Sequence, residues 1–236
     1  ARMNAEKDRA EGKEPKKTMV VSIMPCTAKK AEITRPEHYT DGEQNVDYVL
    51  TTTEITRMIQ EAGIDLAQVQ PEALDMPFGL ASGAGAIFGV TGGVTEAVLR
   101  RLVNSSRAED LEEISFSGVR GVDGIKEAKV NLNGREVKIA VVNGLHCAED
   151  LLEMMKAGEA HYDFVEVMAC KRGCIAGGGQ PVPIGPRTKK ARLEGIYKID
   201  SMAQIKLSNE NPIITEVYAG ILKRKEHKLM HNERSV

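Results

Sequence analysis

Apolar residues along this chain fall into two patterns, short unbroken runs of the strand kind and longer stretches with helical spacing. Residues 1–17 fit neither: mixed Lys, Arg, Glu and Asp with almost no apolar period read as an exposed helix or a tail. Thr18 to Met24 is a buried-type strand, stopped by Pro25, which fixes φ and removes a donor. Tyr48 to Leu50 is a short strand, and Thr51-Thr52-Thr53-Glu54 after it is an N-cap for a helix to about Ala62, ended by Gly63. Residues 65–80, with Pro71 and Pro77, read as an irregular loop. The glycine-rich, uncharged stretch from Ser82 passes at Glu96 into a helix reaching about Val103.

The second half alternates in the same way. Strands are expected over 114–119, 128–132 and 137–142, the last two joined by a hairpin at Asn133-Gly134. Asn143-Gly144 breaks the third strand, and Cys147 to Met155 is an amphipathic helix. Tyr162 to Met168 is another strand, followed by a cysteine pair and a Pro/Gly/basic loop over 182–190. A helical segment to about Lys206 comes next, then a helix through Leu222 with Pro212 at its first position, then a charged tail. Strand and helix in alternation predict an α/β fold with parallel or mixed sheets flanked by helices.

Composition narrows the function classes. The chain has 236 residues, enough for one large domain or two modest lobes. A formal net charge of −2 gives no electrostatic footprint for nucleic acid, and with no Trp and few aromatics there is no stacking platform for single strands. No apolar run approaches the ~18 residues that a membrane helix needs, so no membrane partner is expected. The charged start shows no signal peptide, and Ala1 in place of Met suggests a processed product or an excerpt. Four cysteines in a chain this long are too few for a disulfide framework. They fit a reducing, cytoplasmic setting with metal or redox chemistry.

The chemistry gathers where strands end. After the strand at 162–168 come Cys170 and Cys174, four apart, then Gly177, Gly178 and Gly179. Paired thiols followed by bare backbone suit a bulky group at the carboxyl edge of a sheet, where α/β proteins bind ligands. Thiolates are soft donors, so iron–sulfur, zinc or copper is indicated; the plainer reading is two small buried side chains beside a glycine turn. Cys26 also follows a strand end, and Lys29, three residues on, either aims a cation at the same spot or is a solvated lysine at a helix start. The glycine-rich stretch at 82–93 lacks the Lys-Ser/Thr of a phosphate loop and reads better as close backbone packing. Cys147 reads as a small buried residue. A cubane cluster wants four thiolates, so Cys26, Cys170 and Cys174 leave one gap, to be filled by Cys147 or by a cysteine outside the chain. A three-ligand zinc site would want a nearby His, and His146 and His161 lack zinc-finger spacing.

Two long motifs carry a resemblance. Met24-Pro25-Cys26-Thr27-Ala28-Lys29-Lys30-Ala31-Glu32 resembles the second signature of the catalytic domain of iron-only (FeFe) hydrogenases, and Glu166 to Pro181 resembles the third. Gly83 to Arg100, Val119 to Ala128 and Asn211 to Tyr218 resemble its connecting segments, so the likeness runs from about Met19 through residue 222. It implies part of a two-lobed α/β domain over 18–222, between a charged extension at 1–17 and a charged tail at 223–236. It further implies an H-cluster: a 4Fe-4S cubane joined through one cysteine sulfur to a two-iron subsite bearing CO and cyanide. Under it Cys26, Cys170 and Cys174 ligate the cubane, Cys174 bridging to the two-iron subsite. Lys29 contacts a cyanide and Pro25 places a backbone group near one. Met24 and Met168 shield the iron, Phe88 lines the pocket, and Gly177 and Gly178 let the backbone approach the cofactor. The implied activity is reversible reduction of protons to H2, with an electron carrier such as ferredoxin. The family's first signature, with the fourth cubane ligand, is missing from these residues and would come from an upstream segment or a partner chain. Lys171-Arg172, Thr95 and Ala31 stand where relatives usually carry small or uncharged residues, Met and Phe. The alternatives are a hydrogen sensor or a cubane-only assembly factor without turnover.

Overall fold

The structure, a computed structural model, describes residues 2–15, 18–40, 42–76, 79–103, 124–132, 134–171, 173–220 and 222–223. The strand expected at 114–119, Arg172 and the tail from 224 lie outside them. The chain forms two compact units, and neither is continuous in sequence. One comprises Ala1–Ala73, Gly178–Pro181 and Pro212–Val236; the other comprises Leu74–Gly177 and Val182–Asn211.

The first unit opens with helix α1 (Arg2–Ala10). Strand β1 (Val21–Met24) is shorter than the apolar run that announced it. The run's start is tied otherwise: the Val20 N–H donates to the Asp47 carboxylate at 2.7 Å. Helix α2 (Ala28–Glu32) and a minor antiparallel pair, β2 (Tyr39–Thr40) and β3 (Glu43–Gln44), lead to β4 (Tyr48–Thr51). β4 lies parallel to β1, with Val21 opposite Tyr48 and Met24 opposite Thr51. Helix α3 (Thr52–Glu61) starts on the expected cap in full: Thr51 Oγ1 accepts from Glu54 N, and the Glu54 carboxylate accepts from Thr51 N at 2.7 Å.

The second unit begins at an irregular stretch and enters helix α4 (Gly83–Ala86), then α5 (Gly93–Val103). Its sheet has the order β5–β6–β7, from β5 (Ile125–Leu132), β6 (Arg135–Asn143) and β7 (Phe164–Met168). β5 and β6 are the expected hairpin, Leu132 facing Arg135 across the turn. β7 returns parallel to β6 after crossover helix α6 (Leu145–Lys156). Ile139 to Asn143 of β6 are buried on both faces, which explains the apolar run from Ile139 to Val142. Ile139 and Val141 pack with Leu99 of α5 and Ala128, while Ala140 and Val142 pack with Leu151 of α6. Cys147 lies against this second cluster, as its plain reading predicts.

Helix α7 (Pro186–Met202) starts with Pro at its first position and ends earlier than expected. Residues 203–206 are drawn off as loop, their carbonyls at Ile205 and Lys206 accepting from Gly83 N and Ala84 N at 2.8 and 3.2 Å. Helix α8 (Pro212–Ala219) closes the first unit.

Candidate functional site

The sequence-predicted residues divide between the units: Met24, Pro25, Cys26, Lys29 and Gly178 in the first, Phe88, Met168, Cys170, Cys174 and Gly177 in the second.

In the first unit β1 delivers Met24 and Pro25 to the sheet's carboxyl edge, and Cys26 sits on the turn before α2. Against that turn runs the glycine arm 178–181. Gly179 N donates to Pro25 O at 3.1 Å, and Gly179 O accepts from both Thr53 N and Thr53 Oγ1 at 3.0 Å. A Cβ on Gly179 would lie 2.8 Å from Cys26 N and 2.9 Å from Pro25 C, so only bare backbone fits. Gly178 faces Thr27 Oγ1 less tightly, at 3.2 Å for the same imagined atom. The third motif thus props the cysteine of the second, a role the sequence reading assigned to the glycines only in general terms.

Lys29 is half-exposed and donates from Nζ to Glu32 Oε1 at 2.7 Å. That hydrogen bond holds the Glu32 carboxyl below its ordinary range. Lys30 donates to Val49 O at 2.8 Å and pairs with Glu54 at 2.9 Å. Glu54 is pushed down to about 2, first by the Thr51 N–H and then by Lys30.

In the second unit β7 leads through Met168 to Cys170, which is exposed, and on to the half-buried Cys174. The Met168 carbonyl accepts from Gly144 N at 2.8 Å, and the Cys170 carbonyl from Gly173 N at 3.0 Å. Gly173, at φ 78°, takes a left-handed turn and lies 2.8–3.0 Å, by its imagined Cβ, from the backbone of Gly89, Val90 and Thr91. Cys174–Ala176 then form one 3-10 turn, closed by Gly177 N donating to Cys174 O at 2.9 Å. Gly177 is buried. Phe88 is 49% exposed, next to the Gly89 backbone that Gly173 packs on.

Sequence reasoning missed the role of Glu166. Although it stands in strand β7, it is 6% exposed. Its carboxylate accepts from Gly92 N at 2.8 Å, Thr95 N at 2.7 Å and Thr95 Oγ1 at 2.6 Å, so it caps α5 with a buried negative charge. Thr95, read from sequence as a departure from the family's Met, is one of its donors. The signal was available: a lone Glu in a buried strand, in a chain with a Gly-Gly helix start. Arg100 was missed as well. It pairs with Asp200 and Glu96 in the interior; burial works against its charge, but hydrogen bonds to both carboxylates hold its pKa above the ordinary value.

The donor set fits an iron–sulfur cluster. Cys26, Cys170 and Cys174 are in no disulfide and lie just past the ends of β1 and β7, and the Cys26 turn is backed by a cradle that a Cβ would fill. Among the described residues no three His, Cys, Asp or Glu side chains converge as they would on a single metal ion. Among those residues, too, no helix is long and apolar enough to cross a membrane.

Comparison with known proteins agrees with this chemistry. Residues 3–178 match the family described as iron only hydrogenase large subunit, C-terminal domain, and residues 186–233 match the iron hydrogenase small subunit family. The chain is 43% identical to the NADP-reducing hydrogenase subunit HndD of Solidesulfovibrio fructosivorans, over 91% of this chain and 37% of that one. It is 46% identical to the periplasmic [Fe] hydrogenase large subunit of Nitratidesulfovibrio vulgaris, over 80% of this chain and 46% of that one. At 28% identity it matches the cytosolic Fe-S cluster assembly factor narfl of Danio rerio, over 94% of this chain and 56% of that one. A solved variant of the [FeFe]-hydrogenase HydA1 from Chlamydomonas reinhardtii superimposes with a TM-score of 0.75 at 34% identity, covering 98% of this chain and 66% of that one. The chain therefore spans less than half the length of the two hydrogenase subunits and about two thirds of the solved one.

Proposed function

The chain belongs to the family defined by the C-terminal domain of the large subunit of iron-only hydrogenases, and from that premise we propose that it is the cysteine-bearing part of a hydrogenase catalytic unit. Cys26, Cys170 and Cys174 would hold a 4Fe-4S cubane, with Cys174 shared with a two-iron subsite carrying CO and cyanide. When bound, that cofactor supplies the redox chemistry of 2H⁺ + 2e⁻ ⇌ H2. The fourth cubane ligand would come from a segment outside these residues or from a partner chain. Cys147 is taken up by its apolar cluster.

The chain's own groups have narrower tasks. Lys29 carries three donors and gives one to Glu32, leaving N–H groups for a cyanide nitrogen. Pro25 offers no N–H of its own, and its carbonyl is taken by Gly179, which holds the Cys26 turn rigid. Met24, Met168 and Phe88 would line the iron with polarizable, water-excluding surface. Gly177 and Gly178, inside the third motif, put no side chain in the cofactor's way. Electrons would arrive from a carrier such as ferredoxin. Four cysteines outside any disulfide favour a reducing compartment such as the cytoplasm, although one relative is named periplasmic.

One observation supports the reading above the others: Gly179 leaves no room for a side chain beside Cys26, so the second and third motifs are built to each other. The experiment is infrared spectroscopy of anaerobically matured protein, co-expressed with the rest of the catalytic domain. Sharp CO and cyanide bands are expected. Iron without those bands would sink the hydrogenase reading and favour a cubane-only protein, the reading supported by the narfl match.

A further inference from the structure

The turn that carries Cys174 is gripped from two sides by groups of the second unit. On one side Gly173 is wedged against the backbone of Gly89–Thr91, and Gly89 is backed by Ile196, whose Cδ1 lies 2.9 Å from an imagined Cβ on that glycine. On the other, Arg192 Nη1 donates to Ile175 O, the carbonyl next to Cys174, at 2.9 Å. Arg192 and Ile196 are four apart on α7, hence on one face of that helix. α7 lies within the residues matched by the small-subunit family, whereas the cysteine turn lies within those matched by the large-subunit family.

We propose that Arg192 is a positioning residue for the Cys174 thiolate, and so that the small-subunit-like segment helps to hold the cluster. The proposal rests on the reading of Cys174 as a cluster ligand. A single 3-10 turn is weakly held by itself, because its hydrogen bonds are few and poorly aligned. The carbonyls at its end need partners from elsewhere. A guanidinium supplies one with a charge-assisted bond, stronger than a neutral one. Ile175 itself is 6% exposed, so its backbone is not free to swing out to water.

The test compares Arg192→Leu and Arg192→Lys in the full-length protein. Amide hydrogen exchange of Ala176 and Gly177, the donors of the turn, is measured in the metal-free protein, with Val141 and Val142 of β6 as controls. Iron per chain is then measured after anaerobic reconstitution. Arg192→Leu is expected to speed exchange at Ala176 and Gly177 roughly tenfold, leave the β6 amides unchanged, and lower iron uptake. Arg192→Lys keeps a cation and a donor and should restore most of the protection and the iron. Unchanged exchange at the turn in Arg192→Leu overturns the proposal, as does equal acceleration in β6, which would make Arg192 a general stabiliser. Wild-type protein that takes up no iron would defeat the cluster reading instead, with the exchange data still deciding whether Arg192 holds the turn.

Discussion

At position 179 the space for a side chain is already taken. Gly179→Ala would press a methyl to within 2.8 Å of Cys26 N and 3.0 Å of Thr51 Cβ, all of it main chain or a branched carbon that cannot swing aside. The variant should lose about 1–3 kcal/mol by urea unfolding and take up less iron, because the atoms that must move are those of the Cys26 turn. Unfolding at the wild-type midpoint would show that the close approach is not felt. Glu54 gives a pH test nearby. Its folded pKa, about 2, lies below the ordinary 4.5, so its contribution is complete above 4.5 and disappears as pH falls toward 2. The melting temperature of the metal-free protein should drop through that window. Glu54→Gln keeps the capping box but removes the charge, and should flatten that part of the curve. Equal slopes for the two proteins would rule Glu54 out as the titrating group.

At the scale of elements, the strand β7 and the helix α5 are joined by one side chain. Glu166 brings a carboxylate to the first turn of α5, where three donors meet it. Glu166→Gln sets an NH2 against those donors, and Glu166→Ala leaves them buried without a partner; each should cost about 3 kcal/mol in urea unfolding. Thr95→Val removes a single hydroxyl and should cost about 1 kcal/mol. A loss below that for Glu166→Ala would mean that water enters and satisfies the helix start. This junction also marks the limit of the sequence. Strand ends before Cys26 and Cys170 were legible because apolar runs stop at Pro25 and before Cys170 and the glycines. The β5–β6 hairpin was legible from Asn133-Gly134, and α3 from Thr51 and Glu54. These are local signals. Glu166 showed only as a lone charge in an apolar strand and Arg100 not at all, since apolar patterning treats a charged residue as outward, and only tertiary partners offset the cost of its burial. The two discontinuous units were hidden for the same reason: Gly178–Pro181 belong with residues 1–73 through hydrogen bonds to Pro25 and Thr53, which no periodicity encodes. The candidate cysteines came from the motifs, and their supports, Gly179 and Arg192, came from the structure.

For the molecule as a whole, the two family segments meet in the interior of the second unit. Arg100, 2% exposed, donates to both oxygens of Asp200 at 2.8 and 2.7 Å and to Glu96 at 2.6 Å. Arg100 lies in the large-subunit match and Asp200 in the small-subunit match. The link between the matches passes Val182, which is 84% exposed, so it is a place where the chain can be cut with little loss of packing. Residues 1–182 and 183–236, expressed as two chains, should therefore co-purify. Arg100→Leu takes the guanidinium away from two buried carboxylates, a loss of about 3–5 kcal/mol, and should weaken the association of the two chains by roughly a hundredfold or more in titration calorimetry. Because a buried ion pair is offset by its own desolvation, replacing all three charges together, Arg100→Met with Glu96→Leu and Asp200→Leu, should recover much of the affinity. Equal affinity of the wild-type and Arg100→Leu pairs would show that the apolar contacts of α7 alone hold the segments together.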